Sequence, residues 1–118
     1  MNIDANILKY MTVDRLRQRI TIQTPAVARD EEGNRIVTYT DADTVWAAVE
    51  TVTSGSAAAA VEEQWAIRYR VVLRYGIPVQ QLDRLLYRGR LLRITSPPVD
   101  AGGIHQWTVL ECREWVET

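Results

Sequence analysis

Cys112 and His105 are the residues best suited to nucleophilic or metal chemistry, and each is the single residue of its type in the chain. A Cys–His nucleophilic pair needs the two side chains within hydrogen-bonding reach. The two positions are seven residues apart on one predicted strand, which directs their side chains to opposite faces. One histidine and one cysteine also fall short of the four ligands of a structural zinc site. The sequence therefore predicts a surface histidine, a core cysteine and no enzyme active site.

Carboxylates offer weaker candidates for metal binding or acid–base chemistry. Residues 30–34 (Asp-Glu-Glu-Gly-Asn) lack the alternating oxygen ligands and the distant bidentate Glu of a calcium loop. Gly33 and Asn34 tolerate a positive φ, so this segment is interpreted as a hairpin turn. Glu62 and Glu63 are adjacent and diverge on any regular structure. No metal and no cofactor is predicted.

Length and charge exclude several classes of protein. The chain has 118 residues, which corresponds to one domain, with 47% apolar and 25% charged residues. Its net charge of −1 lacks the positive excess of a dedicated nucleic-acid-binding domain. A single cysteine rules out an intramolecular disulfide. Since no apolar run is long enough to span a membrane and residues 1–10 do not resemble a signal peptide, synthesis in a cytoplasm is expected.

Period-two alternation of apolar and polar residues is the strongest structural signal. It predicts an all-β fold, a small β-barrel or sandwich of about six to seven mainly antiparallel strands with one long inter-strand loop. The predicted strands cover residues 16–23, 35–40, 45–52, 65–75, 83–87, 90–95 and 105–115. Turns are expected at residues 30–34, with a further break at 41–43 and a loop at 99–103. Arg88 and Gly89 form the turn of a tight hairpin.

One segment between predicted strands departs from this alternation. It is rich in Ser, Gly and Ala, and we interpret it as a long excursion with a functional role. Its residues are Thr53, Ser54, Gly55, Ser56, Ala57, Ala58, Ala59, Ala60, Val61, Glu62, Glu63 and Gln64.

Arginines and tryptophans supply the candidate interface residues. Arg68, Arg70 and Arg74 share one face of a predicted strand, and a contact with acidic residues of a neighbouring subunit is favoured over phosphate tracking. Most of the four tryptophans (Trp46, Trp65, Trp107 and Trp115) are expected in the core rather than on a base-stacking platform. Trp46 lies on a strand that we expect to be central in the sheet or covered on both sides, and Trp115 is expected to be exposed or in an interface.

The order of these segments resembles the head–tail joining proteins of tailed phages, also called head-closure or connector proteins. The resemblance runs from Met11 to Trp115 and rests on residues 16–23, the polar turn at 30–33, residues 45–50 (Val-Trp-Ala-Ala-Val-Glu), the small-residue loop with Gly55, residues 67–70, the hairpin at 83–90, residues 98–100 and the closing strand to Cys112 and Glu114. Family members begin close to the position of Met11. Residues 1–13 are therefore treated as an N-terminal extension, and residues 14–118 as a single β-barrel head-closure domain.

The resemblance implies a structural role in the virion neck, at the head–tail interface, after assembly in the bacterial cytoplasm. Such a protein would form a homo-oligomeric ring of about twelve copies. The ring would dock below the portal and its adaptor ring, close the DNA channel after packaging and present a surface to tail-terminator or tail proteins. The loop at residues 53–64 would line or plug the channel, and packaged DNA would be contacted without sequence-specific binding.

Two other functions stay open on the sequence alone. A tail-completion or tail-terminator protein would bind the tail tube instead of the adaptor ring. An OB-like nucleic-acid-binding module would show salt-sensitive binding to single strands and exposed aromatic residues on one sheet. No membrane partner is expected.

Overall fold

A computed structural model of the chain describes residues 3–52 and 67–115. These residues form one helix, α1 (Ile3–Tyr10), and seven strands. The strands are β1 (Gln18–Arg29), β2 (Arg35–Val52), β3 (Arg68–Arg74), β4 (Arg84–Tyr87), β5 (Arg90–Ile94), β6 (Val99–Asp100) and β7 (Trp107–Glu114). Short 3-10 turns lie at Val13–Arg15 and Ala101–Gly103. The prediction of an all-β fold with about six to seven antiparallel strands is confirmed.

The strands form one antiparallel sheet that closes on itself. Hydrogen bonds connect the strands in the order β3, β2, β1, β4, β5 and β7, and β7 pairs back with β3. The short strand β6 pairs with β7 on the same side as β5. Closure satisfies the backbone groups that an open sheet would leave at its edges. The result is a small barrel.

The barrel interior holds the main apolar core, and the period-two pattern explains its composition. Ile20 and Ile22 of β1 are fully buried, as predicted from the alternation. Tyr69, Val71 and Leu73 of β3 point into the same core. The other buried members are Val45, Ala47, Leu85, Leu92, Ile94, Leu110 and Cys112.

A second apolar cluster lies between the barrel and α1. Ile7 is fully buried, and Met11 is 6% exposed. They pack with Ala48, Val72, Ala101, Trp107 and Val109, which come from β2, β3, β7 and the 3-10 turn before β7. Position 102, beneath the helix, requires glycine. A Cβ there would lie 2.5 Å from Leu8 Cδ1, and the backbone has a φ of +66°, which other residues rarely adopt.

The predicted break at residues 41–43 is wrong, because β2 runs through it. Ile22 pairs with Asp43 and Gln23 pairs with Asp41, so Ala42 is an extra residue in a β-bulge. A bulge keeps the strand hydrogen-bonded while it redirects the following side chains. The Gln23 amide donates a hydrogen bond to Asp41 (2.9 Å) and holds the first pair beyond the bulge. The predicted strands at residues 35–40 and 45–52 are therefore one strand.

The predicted loop at residues 99–103 is also partly wrong. Val99 and Asp100 pair with Val109 and Thr108 and form β6. Two residues are too few to show an alternation in sequence, and the turn-forming glycines that follow them dominate the local signal.

Candidate assembly surfaces

Arg70 lies at the centre of a ladder of charges across three strands. Glu50 of β2 and Glu111 of β7 are its direct cross-strand neighbours. Its guanidinium lies 3.9 Å from Glu50 and 3.6 Å from Glu111. The side chain is only 17% exposed, so the two carboxylates compensate a charge that water reaches poorly. The structure thus gives this predicted interface residue two partners within its own chain.

The α1 helix extends this ladder. Tyr10 donates a hydrogen bond from its hydroxyl to Glu50 (3.0 Å). Partial burial and the bond to Glu50 raise the pKa of Tyr10 above its ordinary value. The helix is therefore attached to the barrel by a polar contact as well as by Ile7.

The other two arginines of the predicted stripe lie in different surroundings. Arg68 pairs in register with Val52 on one side and Arg113 on the other. Arg74 is exposed, and its cross-strand neighbour is Trp107. Val72, which lies between Arg70 and Arg74 on the same face, is buried in the cluster beneath α1. The stripe is thus interrupted by the helix, and a subunit contact through these arginines stays a prediction.

Trp115 belongs to a cluster of rings and guanidinium groups. Its ring lies edge-on to Tyr39, with 5.8 Å between the ring centroids. Arg84 stacks over Tyr39 at 3.8 Å and donates a hydrogen bond to Gln23 (2.7 Å). Arg93 lies 5.4 Å from the Trp115 ring. Contacts of this kind between a cation and a ring stabilise by about 0.5–1 kcal/mol each at exposed sites. Trp115 is half-buried by contacts within its own chain.

Trp46 is exposed, whereas most of the four tryptophans were expected in the core. It is 51% exposed, although the strand around it is apolar and central in the sheet. The Arg19 guanidinium lies 4.7 Å from its ring centroid and covers part of it. Trp107 is 2% exposed, as expected for a core residue, and Trp65 lies outside the described residues.

Arg88 and Gly89 form the two-residue loop between β4 and β5. Their φ angles are +49° and +77°, which is the geometry of a type I′ turn. Arg88 donates a hydrogen bond to Gln18 (3.1 Å), and this contact ties the loop to the start of β1.

The predicted channel loop at residues 53–64 lies outside the described residues. The described chain stops at Val52 and resumes at Ile67. Val52 and Arg68 are directly paired across β2 and β3, so the described chain stops and resumes at neighbouring positions.

A groove lies on the outer surface near the start of β1 and the end of β3. Its apolar walls come from Val13, Leu16, Trp46 and Ile77, and Arg17 and Arg74 also line it. The groove has a volume of about 770 Å³. Its residues come from three separate parts of the chain, so no local sequence pattern identifies it.

The hairpin turn at residues 30–34 is held by one side chain. Asp30 accepts hydrogen bonds from the backbone N–H groups of Glu32 (3.0 Å) and Asn34 (2.8 Å). The bond from Asn34 is the main cause that lowers the pKa of Asp30 below its usual 3.8. This carboxylate organises the turn, as the interpretation of this segment as a hairpin predicts.

His105 and Cys112 lie in different environments. His105 lies in the loop before β7, is exposed, and stacks on Tyr75 with 4.5 Å between ring centroids. Cys112 is 1% exposed in the barrel core. The expectation of a surface histidine and a core cysteine is confirmed. Across residues 3–52 and 67–115, no three His, Cys, Asp or Glu residues are grouped to hold a metal ion.

No helix in the described part of the chain has the length and apolar character needed to cross a bilayer.

Burial controls the reactivity of Cys112. It raises the thiol pKa from 9.0 to about 12, and the neighbouring Glu111 charge adds to the effect. Well below pH 9 the thiol is neutral in both the folded and the unfolded chain. Between pH 9 and pH 12 only the unfolded chain loses the proton, so stability falls as pH rises through this range.

We therefore expect a thiol reagent at pH 8 to label the native chain at least about 10³-fold more slowly than the chain in denaturant, because thiolate is scarce and access is closed. Ellman's reagent absorbance with and without guanidinium measures the ratio. Fast labelling without denaturant would contradict the burial of Cys112.

The sequence was compared with models of known protein families. A family described as phage head completion protein matches residues 11–115. The chain belongs to this family. The match covers the whole barrel and begins immediately after α1, and it confirms the resemblance to head–tail joining proteins that the sequence indicates.

One similar protein is also described as a head completion protein, and two solved structures share the fold. The head completion protein gp16 of Bacillus phage SPP1 is 25% identical over 95 residues, which cover 80% of this chain and 87% of gp16. The solution structure of protein SF1141 from Shigella flexneri 2a is 31% identical and superposes with a TM-score of 0.66, covering 92% of this chain and all of SF1141. A chain from the virion of a native gene transfer agent particle has the same TM-score at 15% identity, covering 86% of this chain and 97% of that one, and shares the fold.

Proposed function

We propose that this protein is a structural part of the neck of a tailed phage or phage-like particle. Copies form a ring of about twelve below the portal and its adaptor ring, close the DNA channel after packaging and present a docking surface to the tail. The family match over residues 11–115 carries this proposal. The role is structural rather than catalytic, and the site of action is the virion after assembly in the bacterial cytoplasm.

Several features of the chain support this role. A closed barrel is a rigid unit, which suits a part that must seat against two different neighbours. A net charge of −1 keeps the ring from binding packaged DNA tightly through its phosphates. We further propose that residues 14–118 are the head-closure domain and residues 1–13 an addition to it. The loop at residues 53–64 lines or plugs the channel in this proposal, because Ser, Gly and Ala allow many copies to crowd around one axis.

Electron microscopy of particles from a producer strain with this gene inactivated tests the proposal. We expect heads that leak or have lost their DNA, beside separate free tails. Normal tailed particles would overturn it. Full heads beside tails of abnormal length would overturn it in favour of a tail-completion role.

The loop needs a separate test in the same strain. Complementation with a chain in which residues 55–62 are replaced by a short Gly-Ser link should restore joined tails but not DNA retention. The intact gene serves as the control and should restore both. Full DNA retention by the shortened chain would show that the loop does not close the channel.

A further inference from the structure

A two-stranded arm extends from the barrel. The pairing of β1 with β4 ends at Gln23, and that of β2 with β3 begins at Ala48. Residues 24–29 and 35–40 therefore pair only with each other, and we call this ribbon with its turn the arm (residues 24–40). Its six pairs extend about 20 Å at the usual rise of a strand. A two-stranded ribbon is marginally stable by itself in water, so this arm is expected to have a neighbour.

One face of the arm is apolar over the two pairs nearer the barrel, and Arg29 opposite Arg35 ends this face at the turn. The register places Pro25 opposite Tyr39 and Val27 opposite Val37 on this face. Tyr39 is covered by Arg84, but Val27 is 58% exposed and Val37 is 43% exposed. A directly paired, exposed set of β-branched residues on a ribbon with two open edges is a surface that proteins normally cover.

The groove lined by Val13, Leu16, Trp46 and Ile77 also exposes apolar side chains, as the arm does. Val13 is 53% exposed and Trp46 is 51% exposed, so its apolar walls are also open to water. Arg17 and Arg74 line it with positive charge. The arm and the groove are different surfaces of one chain, which is what a head-to-tail contact between identical copies needs.

Charge is complementary between the two surfaces. The turn of the arm carries Asp30, Glu31 and Glu32, and the Arg29–Arg35 pair separates these carboxylates from the valines. Among the described residues, neither these three carboxylates nor Arg17 and Arg74 form an ion pair within 4.0 Å. The arm also carries Arg29 opposite Arg35, and Arg29 donates to the Gly33 carbonyl within the turn (2.9 Å). An apolar face with an acidic end thus fits an apolar groove with a basic lining.

We propose that the arm of one copy docks in the groove of a second copy. Val27 and Val37 pack against Trp46 and Val13, and the acidic turn lies over Arg17 and Arg74. The contact is heterologous and is repeated around the ring, so this inference deepens the proposed function and rests on it for the identity of the occupant.

Disulfide trapping in solution tests the contact. A Val37→Cys chain is mixed with a Val13→Cys chain and oxidised, and the rate of the mixed dimer is followed on non-reducing gels. The native Cys112 is buried and does not interfere. The matched control is Ala28→Cys with Val13→Cys, because Ala28 is exposed on the opposite face of the arm. We expect the 37–13 dimer to form at least about tenfold faster than the 28–13 dimer, owing to the effective concentration within the contact.

A charge exchange gives a second, independent readout. Glu31→Arg with Glu32→Arg on the Val37→Cys chain should remove the rate advantage. Arg17→Glu with Arg74→Glu on the Val13→Cys chain should restore it. Restoration requires that the two surfaces meet, because each double variant alone only adds repulsion.

Several results would overturn the contact. Equal rates for the 37–13 and 28–13 dimers would do so, and so would 37–37 dimers that form as fast as the mixed dimer, since those indicate an arm-to-arm contact. These outcomes are independent of the particle test. If gene inactivation prevents head closure but the 37–13 dimer forms no faster than the control, the arm contact is rejected and the head-closure role is kept. If the 37–13 dimer forms faster but particles without the gene are normal, the arm contact is kept and the head-closure role is rejected.

Discussion

Leu85→Ala should lower the free energy of unfolding by about 2–5 kcal/mol, whereas Leu82→Ala should change it by no more than about 0.5 kcal/mol. Leu85 is fully buried in the barrel, where it lies directly opposite Ile22 of β1 and Leu92 of β5. Its removal leaves a cavity that paired strands on both sides cannot close. Leu82 is 75% exposed in the preceding turn, so the same chemical change there removes few contacts.

Urea denaturation followed by far-UV circular dichroism measures both variants. The loss predicted for Leu85→Ala is a large fraction of the stability of a domain of this size, about 5–15 kcal/mol. A transition midpoint that falls equally for both variants would mean that Leu85 is not in the core. A chain too unstable to purify with Leu85→Ala can be replaced by Leu85→Val, for which we expect a smaller loss in the same direction.

The barrel was predictable from sequence because each half-buried strand alternates. Ile20 and Ile22, and then Tyr69, Val71 and Leu73, are spaced two apart and lie on one inner face. The bulge at Ala42 was not predictable, since one extra residue among two aspartates has the same sequence signature as the end of a strand. The local sequence pattern does not distinguish the end of a strand from a β-bulge, after which the side chains point to the other face of the sheet.

The candidate surfaces were less predictable than the fold. A stripe of arginines is visible along one strand, but the carboxylates that meet Arg70 come from strands about 20 and 40 residues away along the chain. Their register is set by the closure of the barrel. The groove beside Trp46 has the same origin, because Val13 and Ile77, which also line it, reach this surface only by folding.

The role of residues 1–10 also could not be read from sequence. They precede the part of the chain that matches the family, yet the structure buries Ile7 completely against Trp107 and Val72. An eight-residue helix is too short to be stable by itself, so α1 depends on this packing.

A chain that begins at Met11 should fold into the same barrel but lose about 2–5 kcal/mol of unfolding free energy. The main core inside the barrel contains no residue from α1, so its packing is unchanged. The outer cluster loses Ile7 and its cover over Trp107, and Glu50 loses the hydrogen bond from Tyr10. We therefore expect retained β-sheet circular dichroism, a red-shifted tryptophan emission and binding of a hydrophobic dye.

Two variants of the full chain separate the burial of Ile7 from the loss of the segment. Ile7→Ala should reproduce most of the loss of stability, whereas Lys9→Ala, on an exposed position of the same helix, should match the unaltered chain. If the shortened chain is as stable as the full one, α1 contributes no net stability to the barrel. If it fails to fold while Ile7→Ala folds, residues 14–118 do not form an independent domain. The expected result is a folded but less stable barrel with an exposed apolar patch. It supports the proposal that residues 1–13 are an addition to a self-sufficient domain, because removing them would then abolish only the contacts that they make themselves.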